Sequence, residues 1–144
     1  MIVVDTSVLV YAVGSEHPLR DPSRRLIDAL EHGLVDATTT PEVIQEFAHV
    51  RARRRGRRET ASLAREFVDL LEPLLTTETE HLRDALALFA RHETLDAFDA
   101  MLAATAVSVE AEALVSADLG FASVPRLRHV VPGTREFNEL VAVA

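Results

Sequence analysis

Short apolar runs alternate along this chain with longer stretches of helical pattern. Residues 2–4 and 113–115 are wholly apolar, so each predicts a buried strand. The segments between such runs carry apolar side chains at helical spacing. This alternation favours an α/β fold, in which a central, mostly parallel sheet of four to five strands is flanked by helices. At 144 residues the chain is large enough for one core, so we expect a single domain over residues 1–144.

Caps, breakers and apolar spacing place the individual elements. Strands are predicted at residues 1–5, 35–39, 113–116 and 129–131, with a further one at 73–77. Helices are predicted at residues 21–32, 41–55, 59–71, 79–91, 96–111 and 134–143. Asp21, Thr79 and Asp96 are the expected N-caps of three of these helices, and Gly33 ends the first of them. Residues 5–7 are interpreted as a turn after the first strand.

Four acidic residues lie where an apolar run ends or beside an apolar helical stretch. They are Asp5, Glu46, Asp99 and Asp118. In an α/β sheet, groups at the carboxyl ends of the strands converge on one crevice, and carboxylates near apolar surface are costly unless something neutralises them. Several convergent carboxylates, with no His or Cys among them, suit a hard divalent cation such as Mg²⁺ or Mn²⁺. We therefore expect these four acids to hold the metal and to be catalytic.

Three of the four positions also have a simpler explanation. Asp5 could cap the turn after the first strand, and Asp118 could be a turn residue after a later one. Glu46 shares a helix face with Glu42, so one of the two could be solvated. The metal interpretation depends on the four acids occurring together. If it holds, the acids should have raised pKa values and the protein should gain stability when metal binds.

Four further residues lie next to these acids, in sequence or on a shared helix face, and are expected to support them. They are Thr6, Glu42, Asp96 and Ser116. Thr6 and Ser116 supply hydroxyls that could orient the site, although each could equally stabilise a turn. Asp96 is expected to act as an N-cap first and to influence Asp99 from there.

The composition limits the class of protein. The chain has no Cys, so disulfides and Cys-ligated zinc are excluded, and no apolar stretch approaches the roughly 20 residues that a membrane helix needs. The first residues carry no basic leader typical of a signal peptide. We therefore expect a soluble, cytoplasmic protein that does not enter a membrane.

The charge is unevenly distributed along the chain. The formal net charge is −8, which argues against a general nucleic-acid binder. Six arginines nevertheless surround Gly56, at positions 51, 53, 54, 55, 57 and 58. The chain contains no Lys, and an Arg-only, Ala-rich composition can simply reflect a GC-rich genome. The block could be a solvated helix end or a contact surface for an anionic partner.

The segments that carry the acids resemble the motifs of one family in their order and spacing. IVVDTSVL at residues 2–9 resembles the opening of PIN-domain proteins, specifically VapC-type toxins of bacterial toxin–antitoxin pairs. PEVIQEF at residues 41–47 is similar to the family's second acidic motif, and DAMLAATA at residues 99–106 to its Asp-Ala-x-x-Ala-Ala-x-Ala helix. LVSADLGF at residues 114–121 resembles the strand that carries the fourth acid. The resemblance spans nearly the whole chain.

The resemblance implies a PIN fold and a Mg²⁺- or Mn²⁺-dependent endoribonuclease that hydrolyses RNA with a metal-activated water. It also implies homodimerisation and inhibition by a cognate VapB-type antitoxin. An acidic site repels RNA, so we expect phosphate contacts from four residues of the arginine block: Arg51, Arg54, Arg55 and Arg58. The same block could instead contact an acidic antitoxin segment. Many relatives carry a further acid where this chain has Gly120, so the outer metal position should be weaker.

Three other classes of protein fit part of this pattern. Phosphoacceptor domains and haloacid-dehalogenase-like phosphatases also place Asp residues around Mg²⁺, but both ordinarily use a Lys, which this chain lacks. The phosphatase pattern also needs a second Asp where Ser7 stands. A catalytically inactive PIN scaffold that binds RNA or a partner protein is the main alternative. The sequence identifies neither the target RNA and its cleavage site nor the number of metal ions.

Overall fold

A computed structural model describes residues 1–142. Within them the chain forms four strands: β1 (Ile2–Val4), β2 (Ala37–Thr38), β3 (Ala113–Val115) and β4 (His129–Val130). The helices are α1 (Thr6–Val13), α2 (Arg20–Glu31), α3 (Pro41–Ala52), α4 (Arg57–Leu71), α5 (Thr79–Arg91), α6 (Ala97–Ser108) and α7 (Arg135–Ala142). A short 3₁₀ helix spans Leu119–Ser123.

The strands among residues 1–142 form one parallel sheet in the order β2-β1-β3-β4. Ile2 of β1 lies opposite Ala37 on one side and Ala113 on the other. The chain therefore runs outward from β1 to β2 and then crosses back to β3 on the opposite side of β1. Such a reversal is a topological switch point, and ligands of α/β proteins bind outside the carboxyl ends of the strands there. Asp5 follows β1, and Asp118 follows β3 closely, so both lie at this switch point.

The core explains why β1 and β3 are continuous apolar runs. Every residue of both strands is buried, as expected for parallel strands covered on both faces. Helix α6 is buried over most of its length and is rich in Ala, which lets it pack closely against α5 and β3. Phe47 of α3 meets Phe67 of α4 edge-on, with ring centroids 5.1 Å apart. The fold class predicted from the sequence is thus confirmed.

The strand predicted at residues 73–77 is wrong. That segment contains no strand, and its ties to β2 are one backbone hydrogen bond, from Leu75 N to Thr39 O (2.9 Å), and one from the Thr38 hydroxyl to Pro73 O (2.9 Å). Pro73 has no N–H to donate, so a ladder cannot form along this edge. The apolar residues Leu74 and Leu75 pack against the core without joining the sheet.

Several helix ends also differ from the predictions. Residues 5–7, interpreted as a turn, begin α1, which Asp5 caps. Helix α2 begins at Arg20 after Leu19, so Asp21 lies in its first turn and is not the N-cap. The N-cap of α5 is Glu78, which forms a capping box with His81, and Thr79 is the first helical residue. Asp96 caps α6 as predicted.

The remaining differences are in helix length. Helix α3 ends at Ala52, α4 begins at Arg57, and α6 ends at Ser108. Val143, the predicted end of the last helix, and residue 144 of the predicted domain lie outside the described residues. Over the part of the chain that the structure describes, no helix is both long and apolar enough to cross a membrane.

Candidate active site

Asp5 forms the floor of the site. It follows β1 directly and caps α1, and only 5% of its surface is exposed. Its Oδ2 accepts hydrogen bonds from the hydroxyls of Ser7 (2.7 Å) and Ser116 (2.7 Å) and from the Ser7 backbone N–H (3.3 Å). A buried carboxylate needs such donors to remain charged. The three donors therefore hold Asp5 in one orientation at the end of the sheet.

The two serines join the ends of β1 and β3. The Ser7 hydroxyl accepts a hydrogen bond from Ala117 N (3.1 Å), and the Ser116 hydroxyl accepts one from Asp118 N (2.9 Å). Both hydroxyls thus donate to Asp5 while they fix the backbone before Asp118. Ser116 was predicted to support the site, but Ser7 was not. The signal that could have identified Ser7 is its place two residues after the N-cap of α1, which was interpreted as a turn.

Asp99 lies in the first turn of α6, where Asp96 accepts a hydrogen bond from its backbone N–H at 2.8 Å. Burial, as the largest cause, and the negative charges of the surrounding carboxylates together raise the pKa of Asp99 to about 8. In order of influence these are Asp5, Asp96, Asp118 and Glu46. Asp99 is therefore within electrostatic range of every other predicted ligand and stands at the centre of the acidic cluster.

Glu46 reaches the cluster from α3. The Thr6 hydroxyl donates to its Oε2 at 2.9 Å, which confirms contact between these two predicted site residues. Although the residue as a whole is exposed, its carboxyl group lines the cavity. Burial raises the pKa of Glu46, the Thr6 hydrogen bond opposes that rise, and the charges of Asp5 and Asp96 add to it. The expectation of raised pKa values is thus confirmed for Glu46 and Asp99.

Asp118 and Glu42 lie at the periphery. Asp118 is exposed, and its Oδ1 accepts a hydrogen bond from Gly120 N at 2.8 Å, so its carboxylate stabilises the 3₁₀ helix that follows. Its charge still influences Asp99. Glu42 is one helical turn before Glu46, and its Oε1 accepts a hydrogen bond from the Thr77 hydroxyl at 2.5 Å. Glu42 is therefore fixed at the cavity wall, where a supporting role was predicted.

A cavity of about 60 Å³ lies among these groups. It is lined by Asp5, Thr40, Glu42, Val43, Glu46, Phe98, Asp99, Met101 and Leu102. One water molecule needs roughly 10–15 Å³ by this measure, so the cavity can admit a small ion together with water. Within residues 1–142, however, no group of three or more His, Asp or Glu side chains is placed so that it could hold a metal ion. The carboxylates are neighbours across the cavity and do not form a closed coordination shell.

Mutual repulsion accounts for this arrangement. Two unit charges about 4 Å apart repel by roughly 4 kcal/mol at an effective dielectric constant near 20. Several charged carboxylates in one cavity are therefore unfavourable for the fold. The raised pKa values of Asp99 and Glu46 are consistent with this reason.

Gly120 stands where the family resemblance led us to expect a further acid. A Cβ atom at this position would lie 2.4 Å from the Thr94 carbonyl oxygen and 3.1 Å from Asp118 Oδ1. Any side chain would therefore require the backbone at Thr94 to move. The backbone around Gly120 leaves no room for an acidic side chain, in agreement with the glycine found there in the sequence.

The arginine block lies at the other end of α3 from the cavity. Arg51 donates to the Val13 carbonyl oxygen (3.2 Å) and to Glu59 Oε1 (3.4 Å), and its side chain is 15% exposed. It joins α1, α3 and α4 and therefore has a structural role. Arg54, Arg55 and Arg58 are exposed around the turn between α3 and α4. Arg54 and Arg55 follow the end of α3 and Arg58 lies in the first turn of α4, so these three side chains are open to solvent, and their contact with RNA stays a prediction.

Replacing Ser116 by Ala is expected to destabilise the protein by about 1–3 kcal/mol. The change removes one donor to buried Asp5 and leaves the Asp118 N–H without its acceptor. The free energy of unfolding from urea titration measures the loss. Ser123→Ala is the matched control, since its hydroxyl forms only a 3.3 Å bond to Gly120 O. Equal stability of the two variants would contradict a structural role of the Ser116 hydroxyl.

Comparison with known proteins assigns the family. The model of the PIN domain family matches residues 2–127. Ribonuclease VapC7 of Mycobacterium tuberculosis is 50% identical over 133 residues, which cover 92% of this chain and 92% of that protein. Ribonuclease VapC13 of the same organism is 35% identical over 134 residues, or 90% of this chain and 99% of that protein.

Among solved structures, the crystal structure of VapBC2 from Rickettsia felis bound to a DNA fragment from their promoter shares the fold. Its TM-score is 0.71 at 20% identity, and the match covers 91% of this chain and 98% of that chain. FitAcB from Neisseria gonorrhoeae gives a TM-score of 0.66 at 16% identity, over 90% of this chain and 96% of that chain. The chain therefore belongs to the PIN domain family and, within it, to the VapC ribonucleases.

Proposed function

We propose that this chain is a Mg²⁺- or Mn²⁺-dependent endoribonuclease that hydrolyses RNA phosphodiester bonds, and that Asp5, Glu46, Asp99 and Asp118 hold the metal. The observation that carries the proposal is the environment of Asp99. Its carboxyl group is surrounded by other carboxylates at the switch point of the sheet, and its pKa is raised to about 8. Such a cluster is unfavourable for the fold by itself and is a common sign of a functional site. The relatives named as ribonucleases support the reaction class.

The donor set fits a hard cation. Oxygen atoms are the only polar side-chain atoms that line the cavity, and the part of the chain from 1 to 142 places no His there. Mg²⁺ and Mn²⁺ prefer carboxylate oxygens. Asp5 uses Oδ2 for its three internal hydrogen bonds, so Oδ1 is available to a ligand. A bound divalent ion would neutralise the cluster, activate water and stabilise the charge that develops at phosphorus.

The protein's own residues then have separate tasks. Ser7 and Ser116 fix Asp5, so that one ligand is already oriented before substrate arrives. Thr6 holds Glu46 towards the cavity, and Asp96 fixes the backbone of Asp99. Asp99 must lose its proton to act as a ligand, which makes it the group through which pH controls the site. Arg54, Arg55 and Arg58 contribute phosphate contacts farther along the RNA.

Family membership also supports partners for this protein. We infer that a VapB-type antitoxin binds and inhibits it, that it is a homodimer, and that it acts in the cytoplasm as the toxin of the pair. The shared fold with a VapBC2 structure is consistent with the first of these inferences. Co-purification of the chain with the product of an adjacent small reading frame, followed by loss of ribonuclease activity in the complex, would test it.

Cleavage of a mixed pool of structured RNAs tests the proposed reaction. The purified protein is incubated with Mg²⁺, with Mn²⁺ and with EDTA, and the fragments are mapped. Cleavage in both metals and none in EDTA is expected. Equal cleavage in EDTA would contradict metal dependence. Absence of cleavage, with no change in melting temperature on metal addition but with retained RNA binding, would favour the inactive scaffold instead.

A further inference from the structure

Phe98 is exposed in a way that the fold does not explain. Four of the six phenylalanines are buried, and Phe89 is 48% exposed, whereas Phe98 is 75% exposed. Over residues 1–142 it is the most exposed of the large apolar side chains. An exposed phenyl ring gives up most of the stabilisation that burial provides. A small or polar residue at this position would serve α6 equally well.

The position of Phe98 connects it with the acidic cluster. It immediately precedes Asp99 in the first turn of α6, and it lines the same cavity as Asp5 and Glu46. The second most exposed large apolar residue within 1–142 is Leu119, at 71%, and it immediately follows Asp118. Two of the four acids thus each adjoin an exposed apolar side chain. Both side chains are therefore available for apolar contact beside the acids.

RNA provides a chemical reason for such contact. The carboxylates repel the phosphate backbone, and within residues 1–142 no arginine lines the cavity, so ionic attraction beside the cavity is weak. Nucleobases have large π faces, and stacking on an aromatic side chain does not depend on charge. The fold offers one such ring beside the acids, in a chain with 5% aromatic residues.

We propose that Phe98 stacks against the nucleobase next to the phosphate that is cleaved and thereby positions that phosphate at the acidic cluster. This inference rests on the proposed ribonuclease function. A base can stack on a side chain only when it is unpaired, because in an A-form duplex its faces are covered by its neighbours. Phe98 should therefore contribute to affinity for single-stranded RNA and should contribute little to affinity for a duplex. Stacking of one base corresponds to roughly a 5- to 160-fold change in affinity.

Three variants at position 98 separate stacking from other contacts. Phe98→Trp keeps an aromatic face, Phe98→Leu keeps apolar area without one, and Phe98→Ala removes both. Phe89→Ala is the matched control, since Phe89 is also partly exposed but lies on α5 and does not line the cavity. Melting temperatures verify that each variant is folded.

Two measurements are made on each protein. Fluorescence anisotropy in Mg²⁺ gives the affinity for a fluorescein-labelled, mixed-sequence, single-stranded RNA 12-mer, whose integrity is checked on a gel, and for the corresponding duplex. Initial rates on the structured RNA pool give the relative kcat/KM. Phe98→Ala is expected to weaken single-strand binding about 10-fold or more and to lower kcat/KM in proportion. Phe98→Trp should restore both, and Phe89→Ala should change neither.

Two results would overturn the inference. If Phe98→Ala binds and cleaves like the unmodified protein, the ring does not contact RNA. If Phe98→Leu matches Phe98→Trp in RNA affinity and in relative kcat/KM, the contact is apolar and involves no stacking. The proposed function is judged separately, by metal-dependent cleavage in the unmodified protein. The anisotropy measurement tests stacking even if that cleavage fails.

Discussion

Protein with Asp99 replaced by Asn is expected to cleave RNA at least about 100-fold more slowly than the unmodified protein in saturating Mg²⁺. The substitution keeps the size of the side chain but removes the charge at the centre of the cluster, where Asp5, Asp96, Asp118 and Glu46 all influence it. Loss of one charged ligand weakens both metal binding and stabilisation of charge at phosphorus, and several kcal/mol of barrier correspond to such a factor. Initial rates on the structured RNA pool measure the effect.

The same substitution should make the metal-free protein more stable. Burial and like charges make the ionised form of Asp99 unfavourable in the folded state, and Asn removes that cost. We expect the melting temperature in EDTA at pH 8 to rise by roughly 3–10 °C. Asp84→Asn, an exposed change on α5, is the matched control and should alter neither rate nor melting temperature. An Asp99→Asn protein that is less active because it is less stable would contradict the assignment of Asp99 as a ligand.

Stabilisation by Mg²⁺ or Mn²⁺ is expected to increase as the pH rises from 6 to 9. The pKa of Asp99 is about 8 in the folded protein against an ordinary value of 3.8. Between these values the unfolded chain has lost this proton while the folded chain retains it, so the metal-free protein loses stability as the pH rises towards 8. Metal must displace the proton, and this becomes easier as the pH approaches and passes the folded pKa.

Melting temperatures with and without metal, measured at each pH unit, test this linkage. One metal concentration is used throughout, 10-fold above the dissociation constant that applies when no proton competes. At that concentration one metal site contributes about 1.4 kcal/mol when no proton competes. Calorimetry in buffers of different ionisation enthalpy should show protons released on binding near pH 7. The Asp99→Asn protein should lose most of the pH dependence. If the rise in melting temperature on metal addition were the same from pH 6 to 9, metal binding would not require Asp99 to lose its proton.

The acids could be found in the sequence because strand ends are easy to recognise. Short apolar runs such as residues 2–4 and 113–115 favour buried strands, and in a parallel sheet the residues after them share one edge. Asp5 and Asp118 follow from this rule. Glu46 and Asp99 needed the family motifs as well, because a helical period does not show which face meets the crevice.

Other features could not be deduced because local signals compete. Helix α1 is only eight residues long and contains Val8, Val10 and Val13, which favour strands, so its apolar pattern resembled the end of a strand. Because α1 was not predicted, the role of Ser7, which depends on where that helix begins, was not predicted either. The segment 73–77 was instead wrongly predicted to be a strand, since its apolar residues pack against the core without pairing. The involvement of Arg51 in the fold became visible only when α1, α3 and α4 were seen together.

The exposure of Phe98 is a property of tertiary structure alone. In the sequence it is one apolar residue at the start of an apolar helix, where burial would be the ordinary expectation. Burial is decided by the packing of α6 against its neighbours α5 and β3, which the sequence does not show.

The central claim is that Asp5, Glu46, Asp99 and Asp118 come together on a divalent ion. Anomalous diffraction from a crystal soaked in Mn²⁺ at pH 8 tests it most directly. A manganese peak roughly 2 Å from oxygens of at least three of these carboxylates is the predicted result. The carboxylates would then have moved closer than the metal-free arrangement places them. A fully soaked crystal without a peak at this crevice, or with manganese bound elsewhere, would contradict the account.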